Sequence, residues 1–457
     1  MSQPLALSAL CTRVTSVIAA SLVCIGSGLF SATAIAESVP PPLTANDFPE
    51  QNAAQVKLGQ LLFYDKILSG NKNISCGTCH HHTHFGGDGL SLGIGEGGTG
   101  VGVDRLPGEG ASRIKRRISR NAPALWNLGA KQIEILFHDG RLSRSDDYGV
   151  VFNSPAEERL PTGLSGLLAA QAMFPVTSRF EMAGDPEENS VARASFDRID
   201  HVWPILTKRI QGIPEYETLF SKAFEHVNKA SDISFVDVAN ALAAFQSTEW
   251  QSYDSPFDAY LTGDVAALSK AQLRGMNLFY GDAGCSACHS GNLLTDQGFH
   301  ALGLPTFGPG RTRVFDPIPR DTGRLGETDL VEDSYRFRTP SLRNVELTAP
   351  YGHNGSYASL TKMIEHHLDP VTSRDSWERS YASLPDVAWL NHTDMIITAD
   401  IREMVRYAGR LDLEARVFND SEVLDLVKFM GALTGQTARD GRLGVPSSVP
   451  SGLEVDK

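Results

Sequence analysis

Cysteine is scarce: six in 457 residues, with Cys11 and Cys24 inside an apolar N-terminal stretch. That excludes a disulfide-framed fold. Long hydrophobic runs are also lacking. The one candidate, residues 17–30, is short and interrupted by Gly26 and Gly28. Arg13 before it and Ala34-Ile35-Ala36 after it fit a cleaved secretory signal over residues 1–36, hence export to the periplasm; a single membrane anchor is the alternative. No other stretch is apolar enough for stable membrane insertion. Positive charge is in deficit, 41 Lys and Arg against 54 Asp and Glu. Losing Arg13 with the signal takes the formal charge from -13 to -14. That balance argues against nucleic acid as a partner. Strand patterns are few. What remains is about 420 residues, enough for two cores.

The four other cysteines form two pentapeptides, Cys76-Gly77-Thr78-Cys79-His80 and Cys285-Ser286-Ala287-Cys288-His289. Two thiols three positions apart followed by histidine is the attachment signature of c-type haem. The cysteines form thioethers with the haem vinyl groups, and the adjacent imidazole becomes the proximal iron ligand. A single copy could be a zinc half-site. Two copies, with no other cysteine left after the signal, point to two covalently bound c-type haems.

The chain divides around these motifs. Residues 37–255 form an N-terminal haem domain with a helical extension, residues 256–436 a C-terminal haem domain, and residues 437–457 a flexible polar tail. No tandem repeat is evident beyond the haem motifs. Val56, Leu61 and Leu62 give residues 52–64 helical spacing. Residues 86–110 hold 11 glycines and no periodicity, a long loop of the kind associated with function or mobility. The basic run Arg113, Lys115, Arg116, Arg117 and Arg120 reads as a solvated face or as partners for haem propionates. Ser234 and Asp237 suggest a capping box ahead of Ala239, Leu242 and Phe245. Further helices are expected over residues 268–279 and 421–433. The fold class is mainly α.

A six-coordinate haem needs a ligand from elsewhere. Leu360, Met363, Ile364, His367 and Leu368 share one helical face. An imidazole in such a stripe must find a partner. His367 is the candidate iron ligand, Met363 on the same face the other, and a hydrogen-bonded core histidine the plain alternative. His366 points away.

Residues 338–345 (Arg-Thr-Pro-Ser-Leu-Arg-Asn-Val) and 348–355 (Thr-Ala-Pro-Tyr-Gly-His-Asn-Gly) resemble the bacterial di-haem cytochrome c peroxidase and MauG superfamily. So do Leu62-Phe63-Tyr64-Asp65 and Asp139-Gly140-Arg141. The resemblance covers most of residues 52–435. It implies two cytochrome c-like helical domains, often in a homodimer, with hydrogen peroxide reacting at the first haem and a protein electron donor or substrate served by the second. It also implies a distal Glu–Gln pair ten residues apart, matched by Glu181 and Gln171, and an inter-domain calcium ion matched by Asn121, Thr348 and Pro350.

Two departures, at His367 and Glu96, favour the MauG-like branch, although His367 departs from MauG too; a third, at His138, puts the family's usual relay in doubt. The position of His367 is methionine in ordinary peroxidases and tyrosine in MauG; a second imidazole lowers a haem's potential where methionine raises it. Glu96 stands where many members carry a histidine that plugs the resting site, which implies a five-coordinate first iron. His81, His82 and His84 follow the proximal ligand too closely to reach the distal face and read as surface residues or an adventitious metal site. His138 replaces the family's inter-haem tryptophan, with Trp126 a possible substitute relay or simply core. The function expected is a periplasmic di-haem oxidoreductase that uses peroxide to oxidise a partner protein. A peroxide-detoxifying cytochrome c peroxidase and a non-catalytic di-haem carrier are the rivals.

Overall fold

Asn52 opens the first helix by accepting hydrogen bonds from the Ala54 and Gln55 amides. The computed structural model describes residues 39–145, 148–312, 316 and 318–457. The proposed signal, residues 1–36, lies outside the described residues. The helices that build the sites are α1 (Ala53–Tyr64), α2 (Leu167–Ala172), α3 (Phe235–Glu249), α4 (Lys270–Tyr280), α5 (Leu360–Leu368) and α6 (Asp420–Ala432). The Ser234–Asp237 capping box forms, with the Ser234 hydroxyl donating to Asp237 at 2.7 Å. Strands are short: Ile135–Leu136, Leu142–Arg144 and Phe152–Asn153 form one antiparallel sheet, and Phe299–His300 pairs with Phe337–Arg338.

Each half is built on one crossed helix pair, α1 on α3 and α4 on α6. At Gly59 a Cβ would overlap the Ala241 carbonyl; at Gly275 it would overlap the Asp425 carbonyl. Only glycine lets two helix backbones approach so closely. One turn on, Phe63 packs on Phe245 and Phe279 on Phe429, both with ring centroids 5.3 Å apart. Such pairs contribute about 0.5–1.5 kcal/mol beyond the area they bury. The two helices spell Gly59-Gln-Leu-Leu-Phe-Tyr64 and Gly275-Met-Asn-Leu-Phe-Tyr280. The internal repeat therefore extends beyond the haem motifs to the helix before each, which the sequence reading missed.

Two main apolar cores follow from these pairs. The first draws on residues 43–250 with Leu293; the second runs from Phe257 to Leu433. Two features cross this division. Val387 and Leu390 from the second half pack on Leu90, Ile94 and Ile114 of the glycine-rich segment. Ala438, Val449 and Val455 are buried in the first core. Residues 437–457 are thus not the loose tail their polarity suggests: three buried apolar side chains and hydrogen bonds to Gln60, Asp65 and Glu249 hold them down.

The glycine-rich loop is also fixed. The buried Arg105 guanidinium donates to the carbonyls of Ile94, Gly100 and Gly95 at 2.5, 2.6 and 2.8 Å. Buried carbonyls that no helix satisfies need such a partner.

Candidate active site

One cavity of about 1220 Å³ takes in both Cys-X-X-Cys-His motifs. In the first motif, His80 Nδ1 donates to the Gly86 carbonyl at 2.8 Å. In the second, His289 Nδ1 donates to Leu294 O at 3.1 Å. His367, on α5, repeats the arrangement: its Nδ1 donates to Met363 O at 2.8 Å. A backbone acceptor on one ring nitrogen fixes the tautomer and leaves Nε2 as the ligating atom. All three imidazoles line the cavity. Burial lowers their proton affinity, His289 to about 4, which keeps Nε2 unprotonated for a metal.

The His289 and His367 rings have centroids 6.4 Å apart, their planes tilted by 53°. A metal held between two imidazoles by bonds of about 2 Å, each ring centre lying roughly 1 Å behind its nitrogen, asks for roughly 6 Å. The apolar stripe predicted on α5 is there: Leu360, Met363, Ile364 and Leu368 line the cavity beside His367. His366 is fully buried on the other side, with both nitrogens engaged, Nδ1 to Tyr357 OH at 3.1 Å and Nε2 to Leu302 O at 2.8 Å. It has no nitrogen left for a metal.

Two haem groups fit the residues present. Arg116 Nε, Arg117 Nη1 and Arg343 Nη2 are buried without a hydrogen-bond partner, and all three residues line the cavity. Unpaired buried guanidinium atoms are costly unless an anion answers them, and haem propionates are such anions. The basic run is therefore a solvated face only in part. Arg113 and Lys115 are exposed, but Arg117 and Arg120 are buried. Arg117 donates to Asp394 at 2.7 Å and Arg120 to Asp139 at 2.6 Å and Asp321 at 2.7 Å. Burial pushes the Cys76 and Cys79 thiols up to about 12, away from the thiolate form.

Glu181 and Gln171 both line the cavity, Gln171 from α2 and Glu181 from a single π-helical turn, Arg179–Ala183. Burial raises the Glu181 pKa against the opposing pull of Arg141. Arg141 is held by Asp139 at 3.0 Å, and Asp139 also accepts from Arg311 at 3.1 Å. Together with Arg120, these cations hold Asp139 well below the usual carboxylate range. The Asp-Gly-Arg motif thus fixes a cation near the candidate acid–base.

Glu96 accepts from the side-chain amides of Asn71 and Asn73 at 2.8 and 2.7 Å, and its backbone amide donates to Phe180 O at 3.0 Å. The loop is therefore tied down beside Glu181. His82 Nδ1 lies 3.1 Å from Glu249, and His84 sits against Gly89 and Gly102. His81 is not a surface residue: it is buried edge-on to Tyr64.

His138, Phe337 and His353 also line the cavity. His138 Nε2 donates to Asn121 O at 3.1 Å, and burial takes its pKa to about 4. His353 stacks on Phe337 at 3.6 Å. Sequence reasoning missed Phe337 and the role of His353, although His353 lies inside a quoted motif. Trp126 is buried and donates to Phe85 O at 2.9 Å while lining the cavity. Asn121, Thr348 and Pro350 line the same cavity. Asn121 Nδ2 donates to Leu90 O at 2.8 Å, which leaves Oδ1 for a cation. The carboxylates of Asp139 and Asp321 are both paired with Arg120.

A model of the di-haem cytochrome c peroxidase family matches residues 53–266. The chain is 30% identical over 340 residues to the methylamine utilization protein MauG of Methylorubrum extorquens, spanning 74% of each chain. It is also 30% identical over 334 residues to cytochrome c551 peroxidase of Pseudomonas aeruginosa, spanning 73% of this chain and 77% of the relative. Among solved structures, a MauG-like protein associated with microbial copper homeostasis is similar at a TM-score of 0.56 and 25% identity, over 90% of this chain and 97% of that one. The di-haem peroxidase BthA of Burkholderia thailandensis shares the fold at a TM-score of 0.53 and 20% identity, over 89% and 91%. With both attachment motifs opening on one cavity, the chain belongs to the di-haem cytochrome c peroxidase and MauG family of oxidoreductases.

Proposed function

We propose that this protein is a periplasmic oxidoreductase of the MauG-like branch, which takes oxidising equivalents from hydrogen peroxide at the first haem and uses them on a partner protein through the second. The observation that carries the reading is the His289–His367 pair. Two imidazoles with ring centres 6.4 Å apart, close to what one metal ion between them asks for, would make a low-potential centre, less suited to electron entry from a soluble cytochrome c than a methionine-ligated one.

The haems, once bound, supply the redox chemistry. His80 would hold the first through Nε2. Glu181 takes the peroxide proton and returns it to the departing oxygen, within a pocket where Gln171 donates a hydrogen bond. Arg141 limits how far burial raises Glu181, so the carboxyl can both accept and release a proton. Arg116, Arg117 and Arg343, whose buried nitrogens lack partners, would answer the propionate charge. Asn121, Thr348 and Pro350 would offer oxygen donors to a calcium ion, as suits a hard cation.

Cytochrome c peroxidase activity is the second reading, favoured by the equal identity to the Pseudomonas enzyme. Peroxide turnover in the presence of a reduced soluble c-type cytochrome separates the two. Slow cytochrome oxidation, at the level of the protein without its second haem ligand, is expected here; fast saturable turnover would establish the peroxidase reading instead.

A further inference from the structure

We propose that residues 441–457 clamp the attachment turn of the first haem, with Asp456 acting as a positioning residue for the turn that presents His80. The proposal rests on the reading that Cys76, Cys79 and His80 hold a haem.

The geometry runs through Thr78, which lies between the two cysteines and is fully buried. Its hydroxyl accepts from the Ser75 amide at 2.9 Å, closing the turn, and donates to Asp456 Oδ2 at 2.5 Å. The other Asp456 oxygen pairs with Lys66 at 2.6 Å. The Asp456 carbonyl faces His81 Nε2 at 3.5 Å. One residue of the strap therefore touches the turn on both sides of His80.

The strap is anchored by groups that need it. Glu249, at the end of α3, is 1% exposed. Its carboxylate accepts from the backbone amides of Arg442, Leu443 and Gly444 at 3.4, 2.7 and 3.3 Å, with His82 as its other neighbour. Without the strap, a buried carboxylate would lose its backbone donors, which is costly. Gln60 Nε2 donates to the carbonyls of Leu443 and Gly444 at 3.1 and 2.8 Å, and Ser451 Oγ to Asp65 at 2.6 Å. Val449 and Val455 fill the core beneath. Thr78, His81 and His82 all flank the proximal ligand, and all three meet the strap or its anchor.

Asp456→Ala removes the bond to Thr78 and leaves the buried valines in place. Two haems per chain, measured as the pyridine haemochrome, are expected first; fewer would overturn the haem reading and the clamp with it. In D456A the ferric signal of the first haem should broaden or split in electron paramagnetic resonance and its midpoint potential should move, while the second haem's signal stays at its wild-type position. Asp456→Asn keeps an acceptor for Thr78 and should restore the first-haem line shape. Thr78→Val, which removes the hydroxyl from the other side, should reproduce D456A even if that variant is poorly folded. Wild-type signals in D456A and T78V, equal changes at both haems, or no recovery in D456N would each overturn the proposal.

Discussion

Three histidines share one device, an Nδ1–H spent on a main-chain carbonyl and an Nε2 left for the cavity, and a fourth, His366, has neither nitrogen free. Residues with chemistry of their own were the most legible part of this chain. The attachment motifs declare themselves because the atoms that hold a haem are adjacent in sequence. His367 was legible because helical spacing put it in an apolar stripe that no unpaired imidazole tolerates. Glu181 stood out only through resemblance, since a glutamate in a loop has no local signature. Asp394 and Glu249 were illegible, because the partners that explain them lie 277 and 194 residues away. For Glu181 the account makes a direct prediction. Glu181→Gln should slow the bimolecular reaction with peroxide by about 10²–10⁴-fold. The direction of its pKa shift fixes the pH dependence. As a base the carboxyl works ionised, so the peroxide rate should fall as pH drops through a pKa above the usual glutamate value, and this limb should vanish in the variant. A rate unchanged in E181Q, followed by stopped-flow absorbance, would remove Glu181 from the acid–base role.

At the scale of elements, the unit is a crossed helix pair, used twice. Both pairs depend on a glycine at the crossing and a phenylalanine one turn on. The helices themselves were readable from caps and periodicity. Their equivalence was not, because six-residue similarity across about 200 positions is weak until the crossings are superimposed in space. Gly59→Ala and Gly275→Ala each force a Cβ into backbone on the facing helix. Overpacking of this kind costs about 1–3 kcal/mol. Gly59→Ala should loosen the first haem site and Gly275→Ala the second, seen as loss of the corresponding spectral component before global unfolding. Equal effects on both centres from either variant would contradict two separately built cores. The glycine-rich segment teaches the opposite lesson about composition. Its 11 glycines suggested mobility, yet one arginine binds three of its carbonyls.

Across the whole molecule, the two halves are joined by buried charge as well as by the cavity. Arg117 and Asp394 are both almost inaccessible to solvent. Asp394→Ala would strand a buried guanidinium, at a cost of about 3–5 kcal/mol. Denaturant unfolding should show that loss. A neutral single variant would show that the pair does not hold the halves together. The two iron sites are proposed to be unequal, with Glu181 and Gln171 serving the first and a second imidazole, His367, serving the other. Electron paramagnetic resonance of the resting ferric protein tests this most directly. One high-spin and one low-spin haem are predicted, the low-spin signal lost in His367→Ala and kept in His366→Ala. Two low-spin centres in the wild-type protein would contradict the account.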